Sequence, residues 1–103
     1  MRPRPGRLLC AGKDIALLQK RCAVLRYSGY EAQAATLEEA ETLLRNEAYD
    51  LVIISAQLSD WEKAHMLTVA GKTPAYVLPG LTLADELLAQ VKRRLQPVTS
   101  GPF

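Results

Sequence analysis

A chain of 103 residues with a formal net charge of +2 favours one domain and carries no broad basic or acidic balance. Hydrophobic residues make up 49% and charged residues 23%, a globular composition that excludes general disorder. The apolar runs, Leu51 to Ile54 for example, fall far short of the about 20 residues a membrane-spanning helix needs, and no apolar signal segment follows the basic start, so a cytoplasmic protein is expected.

In residues 1–6, Arg2 and Arg4 alternate with Pro3, Pro5 and Gly6, and Arg7 follows. This reads as a basic flexible tail, solvated or touching an acidic partner. Three arginines supply only a few phosphate contacts, so nucleic-acid binding through them would be weak and salt-sensitive. Residues 7–11, Arg-Leu-Leu-Cys-Ala, stop at Gly12 and suit a buried strand. Ile15, Leu18, Cys22 and Leu25 then recur at helical spacing behind Asp14, a cap or first-turn acid. Ser28-Gly29 ends that helix, with Gly29 suited to the left-handed position. Cys10 and Cys22 have no CxxC spacing and no ligand partners nearby. They read as buried thiols in a reducing compartment, a disulfide between them being the lesser alternative.

Residues 30–35 alternate weakly and predict a second strand. Thr36-Leu-Glu-Glu39 is a capping box, and Leu37, Ala40, Leu43, Leu44 and Ala48 mark the buried face of the helix behind it. Leu51-Val-Ile-Ile54 is the uninterrupted run of a central parallel strand, closed by Ser55. Between Gln57 and Gly71 two readings stand. Either Ser59-Asp-Trp-Glu62 caps a helix whose face carries Trp61, Ala64, His65 and Thr68, or Met66 to Ala70 is a strand. Ala75 to Leu78 predicts a strand broken by Pro79-Gly80. Ala84, Leu87, Leu88, Val91 and Leu95 form the stripe of a last helix whose final turns hold Lys92, Arg93 and Arg94. Residues 96–103 follow Leu95 as a loose tail.

Strands alternating with helices over residues 7–95 imply parallel βαβ units and an open, doubly wound sheet with helices on both faces. The functional crevice of such a sheet lies at the carboxyl ends of its strands, here residues 11–14, 55–57 and 79–81.

This order of elements resembles the receiver domain of two-component response regulators. The resemblance rests on Arg7-Leu-Leu-Cys-Ala11, on the Tyr27-Ser-Gly-Tyr-Glu31 turn and on Leu37 to Leu44. It continues through Asn46-Glu-Ala-Tyr-Asp-Leu-Val-Ile-Ile54 and Thr73-Pro-Ala-Tyr-Val-Leu78 to Leu83–Leu95. It implies a flavodoxin-like α/β fold, shortened here to a sheet of four or five strands. The stretch between Ser55 and Leu83 is too brief for two helices and two strands, so either the third helix or the fourth helix and its strand has been trimmed. The family's signalling surface of fourth helix, fifth strand and last helix is put in question by that loss.

The resemblance also implies a chemistry that these residues lack. Receivers hold Mg²⁺ with acids after the first strand. Gly12 and Lys13 stand there, or Ala11 and Gly12 if the register moves by one, with Asp14 as the one acid nearby. The phospho-acceptor aspartate falls on Ser55, the Ser/Thr after the fourth strand falls on Pro79, and no Lys-Pro follows a fifth strand. One acid beside a lysine does not hold a hard divalent cation, and Lys13 is expected to set its ammonium in the vacated metal position. Ser55 has no visible general base and reads as a small polar residue closing a strand.

Other chemistries find no support. His65 is the only histidine and has no nucleophile partner at a motif spacing. One His and two separated Cys do not form a metal set, and neither GxGxxG nor a Walker A motif is present. Lys92, Arg93 and Arg94 read as a solvated helix end, and Trp61 as an interface anchor or a packed core residue. The chain is therefore expected to be no enzyme, to need no metal or cofactor, and to act as a non-phosphorylatable receiver-like module by protein–protein contact. The candidate surface is Gln57, Trp61 and Pro79 beside Lys13 and Ser55, with the exposed side of the last helix. The expected partner is another signalling protein, a homodimer being left open. No membrane and no small-molecule substrate is expected, and nucleic acid ranks behind protein. Two alternatives stand: a genuine phosphorelay element with a non-standard acceptor, and a nucleic-acid-associated regulator using the Arg-rich tail.

Overall fold

A computed structural model describes residues 6–80 and 82–95. The arm at 1–5, Leu81 at the third strand-end segment and the tail at 96–103 lie outside the described residues. In chain order the elements are β1 (Arg7–Ala11), α1 (Ile15–Tyr27), β2 (Glu31–Ala35), α2 (Leu37–Asn46), β3 (Leu51–Ile54), α3 (Asp60–Ala70), β4 (Ala75–Val77) and α4 (Ala84–Leu95). All strand pairings are parallel and the order is β2-β1-β3-β4.

β1 and β3 form the centre because their apolar residues run without interruption, and alternation sends successive side chains to opposite faces. Leu8, Cys10, Leu51 and Ile53 pack on one face with Leu18, Cys22 and Leu25 of α1 and Leu87 and Val91 of α4. Leu9, Ala11, Val52 and Ile54 pack on the other with Ala40 of α2 and Met66 and Ala70 of α3. Cys10 and Cys22 are buried free thiols.

The helix ends follow their local chemistry. The Asp14 carboxylate accepts from the Leu17 N–H at 3.2 Å and caps α1. Gly29, with φ at 99°, takes the left-handed turn that follows its C-cap Ser28. Thr36 with Glu39, and Ser59 with Glu62, close complete capping boxes at α2 and α3.

Several expectations change. Residues 66–70 are helix, not strand. Met66 and Ala70, four residues apart, are the buried positions of α3, while Trp61, Ala64 and Thr68 are exposed. The expected face failed because α3 carries apolar residues nearly all round, so spacing alone could not orient it. Ala48 lies beyond the end of α2 and is exposed, as is Ala84 in the first turn of α4. The sheet of the described residues has four strands. The third helix is kept, and α4 follows β4 directly and packs on the α1 face. Among the described residues the further helix and fifth strand are thus the pieces without a counterpart.

Candidate functional site

The strand order reverses between β1 and β3, so the chain after each of them forms the mouth of the crevice. After β1 comes Gly12, buried and donating its N–H to the Ala35 carbonyl at 3.2 Å. After β3 comes Ser55, 2% exposed, donating its N–H to the Ala11 carbonyl at 3.0 Å. These bonds extend the parallel ladder one residue past β1 and β3. A Cβ built on Gly12 would lie 2.8 Å from Ser55 Cβ and 3.2 Å from Leu18 Cδ2, closer than side chains tolerate. The Ser55 hydroxyl faces its own turn, its Oγ accepting from the Gln57 N–H at 3.3 Å.

The positions matching the receiver's acidic pocket therefore gather no set of acids. Gly12 offers no side chain and no room for one. Asp14 is engaged as a helix cap. Lys13 turns outward, its Nζ 2.9 Å from Glu62 Oε2, which corrects the expectation that its ammonium fills the metal position. The pairing is favoured because Glu62 is already fixed, its Oε1 accepting from the Ser59 N–H at 2.9 Å. The Ser59 backbone bond, and after it Lys13, hold the Glu62 carboxyl below its ordinary range. These residues do not fit Mg²⁺, which wants near-octahedral oxygen ligation. Among the described residues no three His, Cys, Asp or Glu side chains gather in a way that could hold a metal ion.

The remaining candidates are dispersed. Gln57 borders a cavity of about 450 Å³ between α1 and α4, while Gly12 and Lys13 border a separate cleft of about 370 Å³ beside the start of α2. Pro79 is exposed after β4 and lines neither hollow. Trp61 is 73% exposed. Its ring stacks on His65 with centroids 5.3 Å apart and planes 3° from parallel. His65 Nε2 lies 3.3 Å from Glu41 Oε1 of α2. Trp61, His65 and Glu41 form a stacked aromatic cluster across α2 and α3, next to the Glu62–Lys13 pair that reaches the β1–α1 loop. Glu41 carried no sequence signal for this role, and Glu62 was visible only as a cap. At the other end of the molecule Lys92, Arg93 and Arg94 are exposed, and the Arg94 guanidinium sits 4.0 Å over the Tyr76 ring.

No protein-family model and no curated protein sequence matches this chain. Solved structures do. The CheY-like response regulator receiver domain protein of Methanospirillum hungatei JF-1 superposes with a TM-score of 0.64 at 20% identity, over 88% of this chain and 94% of that one. NtrX of Brucella abortus, solved in complex with ADP, superposes with a TM-score of 0.59 at 15% identity, over 88% of this chain but 26% of its own length. The four-stranded parallel sheet, its order and its helices on both faces thus have the fold of the CheY-like response-regulator receiver domain.

Proposed function

We propose that this chain is a receiver-like signalling module that accepts no phosphoryl group and acts in the cytoplasm by docking on another signalling protein. The observation that carries the reading is the contact of Gly12 with Ser55. Phosphoryl transfer needs a reachable nucleophile and cations that neutralise the developing charge. Ser55 is buried, and the one side-chain hydrogen bond its hydroxyl makes among the described residues is accepted from the Gln57 N–H. What the chain offers instead is an exposed aromatic surface. Trp61 presents an exposed ring, the residue type most enriched at the energetic centres of protein interfaces, and its stack on His65 favours one orientation and so lowers the ordering cost on binding.

The test is intact-mass analysis after incubation with acetyl phosphate and Mg²⁺. The expected result is no gain of a phosphoryl group. A gain that disappears in Ser55→Ala overturns the reading and establishes a phosphorelay element. A photo-crosslinking residue at position 61 then identifies the partner. Crosslinks to a sensor kinase or response regulator fit the docking reading, crosslinks to the chain itself make the partner a second copy, and the absence of any crosslink removes the surface. Trp61→Ala leaves stability within about 0.5 kcal/mol, as for other exposed positions.

A further inference from the structure

The cavity between α1 and α4 is not used by the reading above and stands independently of it. Its volume of about 450 Å³ lies in the range of small-molecule sites. Leu17 and Val24 of α1 and Leu87 of α4 give it an apolar body. The charged side chains on its wall are Lys20 and Arg21, and no acid is among the described lining residues. Arg21 is the unusual one. It is partly buried, and its Nη1 is closed off from water with no hydrogen-bond partner. Burial pushes the guanidinium down from its ordinary value, against a smaller opposing effect of Cys10 and Asp14. Burying part of a cation is costly; Cys10 and Asp14 offset only some of that cost and neither lines the cavity, so an anion seated there would relieve more of it.

The polar rim agrees in sign. Gln57, Gly80 and Thr82 border the cavity where α4 begins. The Leu87 N–H donates to the Leu83 carbonyl at 2.9 Å, which puts Leu83 at the capping position, where its side chain offers no acceptor. Thr82 Oγ1 is turned away to the Gly80 carbonyl at 3.1 Å. The first turn of α4 therefore adds donors and the positive end of its dipole. Asp85 and Glu86 in that turn are exposed and do not line the cavity.

We infer that this cavity binds a small organic anion, its carboxylate or phosphate toward Arg21 and the start of α4 and its apolar body against Leu17, Val24 and Leu87. The experiment is an amide-resolved NMR titration of the full isotope-labelled chain. The probes are 3-phenylpropionate, phenyl phosphate, the neutral 3-phenylpropionamide and inorganic phosphate. Saturable shifts at Gln57, Gly80, Thr82 and the Arg21 Nε–H are expected with one or both organic anions, and which binds tighter separates the carboxylate from the phosphate source. Binding is expected to be at least about tenfold weaker for the amide and for Arg21→Met. Equal binding of the amide, equal binding of inorganic phosphate, or no saturable shift with either organic anion overturns the inference. Thermal melting supplies a readout that needs no ligand. Arg21→Met removes the desolvated charge and keeps most of the stem, so its Tm is expected to hold or rise. A fall of more than about 5 °C means that the guanidinium has a partner in solution, and the premise fails.

Discussion

Replacing Gly12 with alanine tests the contact on which the functional reading rests. The backbone at Gly12 is not in the left-handed region, so alanine meets no conformational penalty there. The whole cost arises from the new methyl group, placed 2.8 Å from Ser55 Cβ and 3.2 Å from Leu18 Cδ2. Neither neighbour is the far end of a flexible side chain on the surface. Both are buried, and Ser55 is pinned by its N–H bond to Ala11. Overpacking of this kind costs about 1–3 kcal/mol, and in a domain of this size each kcal/mol lowers Tm by about 4–8 °C. Ser55→Gly alone loses the Oγ bond to Gln57 and adds chain freedom, together about 1–2 kcal/mol. Because Ser55→Gly also removes the atom that the new methyl group would strike, the double variant is expected to be less destabilised than the sum of the singles by about 1 kcal/mol or more. Denaturant titration followed by circular dichroism gives all three values. Additive effects, or a Gly12→Ala variant as stable as the parent, would show that the mouth is open in solution and would refute the argument against a phosphoryl pocket.

Ser59→Ala removes the Oγ that accepts from the Glu62 N–H at 3.1 Å and is expected to cost about 1 kcal/mol, seen as a lowered Tm; Thr36→Ala acts alike at α2, and unchanged melting would mean the boxes do not form. Glu39 and Glu62 both have folded pKa values below their ordinary value, chiefly through backbone bonds from Thr36 and Ser59. Their stabilisation is therefore complete above the unfolded value of about 4.3 and is lost as pH falls through it toward the folded value. Glu62→Gln should flatten the decline of stability on acidification, and identical acid profiles would remove the effect. Cys10 and Cys22 are each 0% exposed, and the hydrogen bond to Cys22, then burial, push the Cys10 thiol up. A thiol reagent is expected to label neither in the native protein and both after denaturation; rapid native labelling would contradict the packing.

Features of the chain that are local were legible in the sequence. The strands of 7–11 and 51–54, the cap at Asp14, the turn at Gly29 and the box at Thr36 each depend on a few adjacent residues, and each stands as expected. Features decided by tertiary contact were not. The choice between helix and strand at 66–70 turned on which apolar residues of α3 meet Leu9, Val52 and their neighbours, and the exposed Trp61 shows that the largest apolar residue need not be the one buried. The distance between Gly12 and Ser55 depends on the register of β1 against β3. No pattern near Gly12 marks it, although the family resemblance had located both positions. The place of Arg21 on a cavity wall had no signal at all. A single arginine in a helix is ordinary until the packing of α4 closes off its surroundings.

Among the described residues the sheet ends at β4. Ending a parallel sheet one strand early leaves an edge able to pair with other chains. β4 has only three residues, Ala75–Val77, with Pro74 before it and Pro79 just after Leu78. Proline cannot donate to a further ladder. The side chain of Tyr76 on that strand is covered by Arg94 from α4 at 4.0 Å, which places a charge beside the edge. Shortness, proline and a guarding cation are the devices by which edges are kept from pairing. An open β4 edge is thus a poor route to a homodimer, and self-association is better sought at the exposed Trp61 ring.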